Sequence, residues 1–176
     1  MTSKALPPGL ALAIHPYSRG FGWVAFEGPF TPYDWGLSTA RRDKNAVCLR
    51  KIEKLLERLQ PETIILEAFE RRAATRPART ARLCRAIVSL AIDRGLEVAI
   101  YSRTDVQGAF APVGARTRDE IAAAVARHID SLRHRIPKAR DKPWLWEDPR
   151  MALFSAAALI LTHHQLGSAS LFDNLP

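Results

Sequence analysis

Leu10-Ala-Leu-Ala-Ile-His-Pro16, Tyr17-Ser-Arg-Gly20 and Phe21-Gly-Trp-Val-Ala-Phe-Glu27 follow one another near the start of the chain. The first is an apolar run that ends on a histidine and a proline, and it reads as a buried strand stopped by Pro16. The second is turn-like. The third reads as another strand, closed by Gly28-Pro29. Tyr33-Asp-Trp-Gly-Leu37 is a third short strand, and the spacing of the three predicts an antiparallel meander.

Downstream the pattern changes period. Leu49, Ile52, Leu55, Leu56 and Leu59 recur at helical steps behind Asp43, a capping residue, and Pro61 ends that helix. Thr63-Ile-Ile-Leu66 is a β-branched run that ends in Glu67, a fourth strand. A helix is predicted over 79–94, with Leu83, Ile87, Leu90 and Ala91 on one face and Gly95 in the C′ position. Glu97-Val-Ala-Ile-Tyr101 is a fifth strand, and a short helix runs from Thr104 to Phe110. Thr117 with Glu120 forms a capping box ahead of Ile121, Val125 and Ile129. Asp148 at the N-cap and Pro149 at N1 open a last helix, expected to reach about His164.

Three meander strands followed by alternating helix and strand imply an α/β fold. Its core is a five-stranded mixed sheet (a three-strand antiparallel meander plus two parallel strands) flanked by helices on both faces. Strands one and four are the most apolar and are expected side by side at its centre. The chain divides into a flexible N-terminus over 1–9, one domain over 10–165 and a tail over 166–176.

The 176 residues are 47% hydrophobic and 25% charged, an ordinary globular composition. The apolar run from Met151 to Leu161 is too short for a bilayer, which takes about 20 residues. No secretory signal is expected in the first residues. Cys48 and Cys84 form no C-x-x-C pair, so neither a disulfide framework nor a structural zinc is expected. A reducing, cytoplasmic (nucleoid-associated) setting is the default.

Charge is the informative number. Lys and Arg total 26 against 18 acids, a net charge of +8, and arginine supplies most of the cations. That bias favours a polyanion partner, because the planar guanidinium fork matches phosphate. The excess is also localised. Arg71, Arg72, Arg76, Arg79, Arg82 and Arg85 stand together with no acid among them. Arg133, Arg135, Lys138, Arg140 and Lys142 have only Asp141 against them. These two stretches hold more positive charge than the whole chain's net +8. A localised track of this kind suits nucleic acid, whose binding draws on counterion release at neutralised phosphates.

Chemistry has three candidate places: His15 ending strand one, Glu67 ending strand four, and Glu147, Asp148 and Ser155 at the start of the last helix. If strands one and four are neighbours, His15 and Glu67 face one crevice, the usual ligand position in open α/β sheets. Asp148 and Ser155 are seven apart, on one helix face that can close it. Each also has a plainer reading: Glu67 as an arginine partner, Asp148 as a cap, His15 as a polar strand end, Ser155 as helix packing. Pro143-Trp-Leu-Trp146 is an aromatic pair beside a basic loop, compatible with base stacking, a protein contact or core cover.

Taken together, these segments resemble RuvC-type Holliday junction resolvases. Ala13-Ile-His-Pro-Tyr-Ser-Arg-Gly-Phe-Gly-Trp-Val24 is similar to the family's first hairpin, Ile65-Leu-Glu67 to its strand-four glutamate motif, and 98–128 to its fifth strand and the basic turn that opens the next helix. The segment from Asp148 to His163 is similar to its closing helix. The resemblance covers residues 10–164 in one order and implies the RNase H-like fold. It also implies a nuclease in which two Mg²⁺ ions roughly 4 Å apart drive in-line attack on a phosphodiester.

In that role Glu67, Asp148, His15 and Ser155 occupy the catalytic positions, and Glu67, Asp148 and Glu147 are the metal-ligand candidates. Arg71, Arg72, Arg76, Arg79, Arg82, Arg118, Lys138, Arg140 and Lys142 are the nucleic-acid-binding candidates. The sequence departs from the pattern at two acids: His15 stands where the family has Asp, and Ser155 (Ala152 if the register slips) where it has another carboxylate. Mg²⁺ prefers hard, charged oxygen ligands, so the loss is expected to weaken it, and a histidine suits Zn²⁺ or Mn²⁺ better.

The expected function is binding of branched or duplex DNA, with DNA preferred to RNA and Mg²⁺-dependent cleavage impaired or absent. One alternative is an active endonuclease with a rearranged His15/Glu67/Asp148 site using Mg²⁺ or Mn²⁺. Another is a non-catalytic subunit of a nucleoprotein complex, docked through Trp23, Trp35, Trp144 and Trp146. The family's dimer helix corresponds to 79–94, where Leu83, Ile87 and Leu90 form the apolar face of an expected homodimer.

Overall fold

The computed structural model describes residues 9–29, 31–70, 77–138 and 148–173, with side chains described as far as Gln165. Strands β1 (Ala11–Tyr17), β2 (Gly20–Phe26), β3 (Pro32–Thr39), β4 (Thr63–Glu67) and β5 (Glu97–Tyr101) form one five-stranded sheet in the order β3-β2-β1-β4-β5. β1–β2 and β2–β3 are antiparallel, and β1–β4 and β4–β5 are parallel. The expected mixed sheet is therefore present, with β1 beside β4 at its centre.

β1 does not stop at Pro16. It runs on to Tyr17, paired with β2 throughout, whereas β4 pairs only with Ala11, Leu12 and Ala13. Pro16 lies beyond that parallel ladder, so its missing N–H removes no bond from it. The same divergence opens a gap between the carboxyl ends of β1 and β4.

Alternation along the strands sorts the two faces. Leu12, Ile14, Phe21, Trp23, Ile64 and Leu66 pack on one face against α1 (Lys44–Leu59) and α2 (Ala78–Asp93). Ala11, Ala13, Val24, Phe26 and Ile65 pack on the other. That second face is covered by α3 (Arg103–Phe110), α4 (Arg118–His128) and α6 (Arg150–Asp173), while α5 (Asp130–Arg133) is one short turn. From Met151 to Ile160 only Ser155 is not buried, because α6 lies between the sheet and α4. Each large side chain buried there, such as Phe154, contributes about 1.5–3 kcal/mol.

Local rules hold at some ends and fail at others. Gly95 takes φ 70° after α2, as its C′ place requires. Asp43 precedes α1 but takes φ 44°, ψ 48° and makes no side-chain cap bond. A capping side chain acts from the extended region, and the left-handed backbone turns this one away. α6 continues to Asp173 rather than ending near His164, since no proline interrupts it before Pro176.

The apolar face of α2 is spent inside the chain. Leu83 and Ile87 are buried against the chain's own sheet and Leu90 packs on the same core, so this face is not left open for a partner copy. Cys48 and Cys84 are buried in that core as thiols. No helix among the described residues is long and apolar enough to cross a membrane.

Candidate functional site

His15 follows Ala11 and Ala13 in parity, and Glu67 follows Ile65, so both side chains point to the α6 face of the sheet. They meet where β1 and β4 part. His15 is buried, at 7% exposure, and its Nδ1 lies 3.5 Å from Glu67 Oε2. The contact becomes an ion pair when the imidazole is protonated.

The start of α6 is brought over this pair by a glycine. Gly22 is the β2 partner of His15. A Cβ at Gly22 would stand 2.5 Å from the Ala152 carbonyl carbon and 2.6 Å from the Leu153 nitrogen. Helix backbone therefore rests directly on strand backbone, a close approach that only glycine permits. It puts Asp148 and Ser155 on the wall of the crevice that holds His15 and Glu67, a cavity of about 440 Å³. Arg118, at the first position of α4 behind the Thr117–Glu120 capping box, reaches the same wall and donates to Ser155 Oγ at 3.5 Å.

Asp148 is engaged by its own helix. Its Oδ1 accepts the Arg150 backbone N–H at 2.9 Å, the bond expected of a cap. The Arg150 guanidinium grips both carboxylate oxygens, Nη2 to Oδ2 at 2.6 Å and Nε to Oδ1 at 3.0 Å. This fork, chiefly, holds the Asp148 carboxyl below the usual carboxylate range.

These donors do not fit a pair of Mg²⁺ ions. Such a site calls for several charged oxygens. The described wall offers Glu67 beside an imidazole, Asp148 with both oxygens on a guanidinium, and a Ser155 hydroxyl facing Arg118. Among the described residues no three His, Cys, Asp or Glu side chains are grouped to hold a metal. Glu147 lies outside the described residues, as do Arg71, Arg72, Arg76, Arg140, Lys142, Trp144 and Trp146.

The described basic residues divide by role. Arg79 is half-buried and donates to the Tyr17 and Ser18 carbonyls and to Asn45 Oδ1 at 2.9–3.0 Å, tying the start of α2 to the β1–β2 hairpin. Arg82 and Arg85 are exposed on α2, Arg85 at 4.0 Å from Glu70. Arg133 pairs with Asp130 at 2.6 Å, and Arg135 and Lys138 are exposed. The structure adds two cations to those expected from the sequence. Arg19, in the β1–β2 turn, and Arg103, at the first position of α3, both line the crevice. A signal existed for Arg103, which follows the Ser102 cap as Arg118 follows the Thr117 cap.

No family model matches this chain, and no curated protein does. Solved structures match over most of its length. Thermus thermophilus RuvC superposes with a TM-score of 0.64 at 19% identity, covering 92% of this chain and 96% of that one. The T. thermophilus RuvC complex with a Holliday junction substrate gives 0.64 at 16% identity with the same coverage. The yeast mitochondrial Holliday junction resolvase Ydc2 gives 0.55 at 14% identity, covering 97% of this chain and 85% of that one. At these identities the likeness speaks to architecture, and the sheet order, the crevice and the closing helix agree with it: the chain has the RNase H-like fold in the form found in RuvC-type resolvases.

Proposed function

We propose that this chain is a RuvC-like nucleic-acid-binding protein that engages branched or duplex DNA and cleaves it poorly or not at all with Mg²⁺. The observation that carries this reading is the gathering of arginines at a crevice where His15 and Ser155 stand in place of acids. The fold is one seen in complex with a Holliday junction in T. thermophilus RuvC. Yet the wall between β1 and β4 carries Arg19, Arg103 and Arg118 against Glu67 and an Asp148 held by Arg150. Arg82, Arg85, Arg135 and Lys138 are exposed on the surface as further phosphate contacts.

A gel-shift series on a four-way junction, a duplex and a single strand at low salt tests the binding. Junction or duplex is retarded, with affinity falling steeply as salt rises. Failure to retard any of the three ends the proposal. The His15–Glu67 contact at 3.5 Å supports a second reading, a rearranged nuclease site. In that case a junction is cut in Mn²⁺ or Mg²⁺ and Glu67→Ala abolishes cutting. No product in Mg²⁺, Mn²⁺ or Zn²⁺ rejects it.

A further inference from the structure

We infer that the crevice grips a phosphate ester of the nucleic acid directly on its own guanidinium groups, with no divalent metal between; this rests on the nucleic-acid reading above. Three arginines reach one cavity from three separate elements: Arg19 from the β1–β2 turn, Arg103 from α3 and Arg118 from α4. Among the described residues the carboxylates on the same wall are Glu67, beside His15, and Asp148, paired with the Arg150 fork. Among the described residues the balance is cationic where a metal site would have to be anionic, and a phosphate is the group such a wall attracts.

The placement of two of these arginines strengthens the case. Arg103 and Arg118 are each the first residue of a helix, directly behind a capping box. That is the end where the helix dipole opposes a cation. An anion seated between them would be favoured by both guanidinium groups. The remaining wall is apolar, with Val106, Ile121, Phe154 and Leu159. The volume, about 440 Å³, lies within the range of small-ligand pockets, roughly 300–1,000 Å³. It therefore has room for a phosphate with part of its nucleoside, and the apolar wall suits a sugar or base face.

The test is calorimetric titration of the full chain in EDTA with three probes: inorganic phosphate, a 5′-phosphorylated dinucleotide and the same dinucleotide without its terminal phosphate. Saturable binding of a dinucleotide in EDTA, unchanged when Mg²⁺ replaces EDTA, is the expected result. The two dinucleotides separate a terminal phosphomonoester from an internal phosphodiester. Arg103→Gln and Arg118→Gln each weaken that binding about tenfold, while Arg127→Gln, exposed on the last turn of α4, leaves it unchanged. Arg103 is exposed, so its variant keeps the test valid if Arg118→Gln lowers the melting temperature. Binding that appears only with a divalent metal overturns the inference, as does binding indifferent to both substitutions. A junction gel shift that survives while the dinucleotides fail to bind removes this inference alone. Dinucleotide binding without any gel shift removes the DNA reading and leaves the pocket.

Discussion

In the proposed reading, His15 and Ser155 stand where a metal-binding wall would carry carboxylates. A carboxylate at both places, beside Glu67, would rebuild a cluster of hard oxygen donors. His15→Asp with Ser155→Asp is therefore expected to raise Mg²⁺ or Mn²⁺ affinity above the parent's, read by Mn²⁺ spin resonance and by metal-dependent junction cleavage. A double variant that folds and gains neither would show that His15 and Ser155 do not stand at the metal positions. Arg150 has a separate signature. Its hold on Asp148 puts the folded pKa below the ordinary value of 3.8. The resulting stabilisation is present above that value and is lost as pH falls through the folded one. Arg150→Gln should thus move acid unfolding to higher pH, and an unchanged acid midpoint would count against the fork.

At the scale of elements, the Gly22 contact is what aims α6. Gly22→Ala forces a methyl into the α6 backbone at 2.5–2.6 Å. Overpacking of this kind costs about 1–3 kcal/mol, or roughly 2–4 °C in melting temperature per kcal/mol for a chain of this size. Differential scanning calorimetry reads it, and a melting temperature equal to the parent's would contradict the close approach. The α2 arginines separate in the same way. Arg79→Ala breaks three charge-assisted bonds to the hairpin and Asn45 and should cost about 2 kcal/mol. Arg82→Ala should leave the melting curve alone and reduce the salt slope of DNA binding by about 1. A step-of-three arginine pattern cannot distinguish these roles, because whether a guanidinium meets solvent or a carbonyl 61 or 62 residues away depends on the fold.

At the scale of the molecule, a second group of titrating side chains ties β5 to α6. His163 Nδ1 meets the Tyr101 hydroxyl at 2.7 Å, and the His163 and His164 rings pack edge to face. Burial pushes both imidazoles below 6.5. Between the folded and unfolded values the unfolded chain binds more protons, so stability falls as pH drops below about 6.5. Denaturant midpoints at pH 7.5 and 5.5 measure this, and the difference should shrink in His163→Gln.

The sequence by itself was enough for the sheet, the order of its strands and the neighbouring of β1 and β4, because apolar period and turn chemistry are local signals that sum along each segment. It also picked out His15 and Glu67 as polar residues of buried strands, although β1 runs two residues past His15. Tertiary structure alone decided the rest: that β1 passes through Pro16 because β4 has already diverged, that Arg79 supports a hairpin, that the α2 face is consumed by the chain's own core, and that Arg19 and Arg103 join Arg118 at one wall. The reason is physical. A strand or helix is specified by neighbours a few residues away, whereas the partner of a long charged side chain is set by packing between elements far apart in the chain.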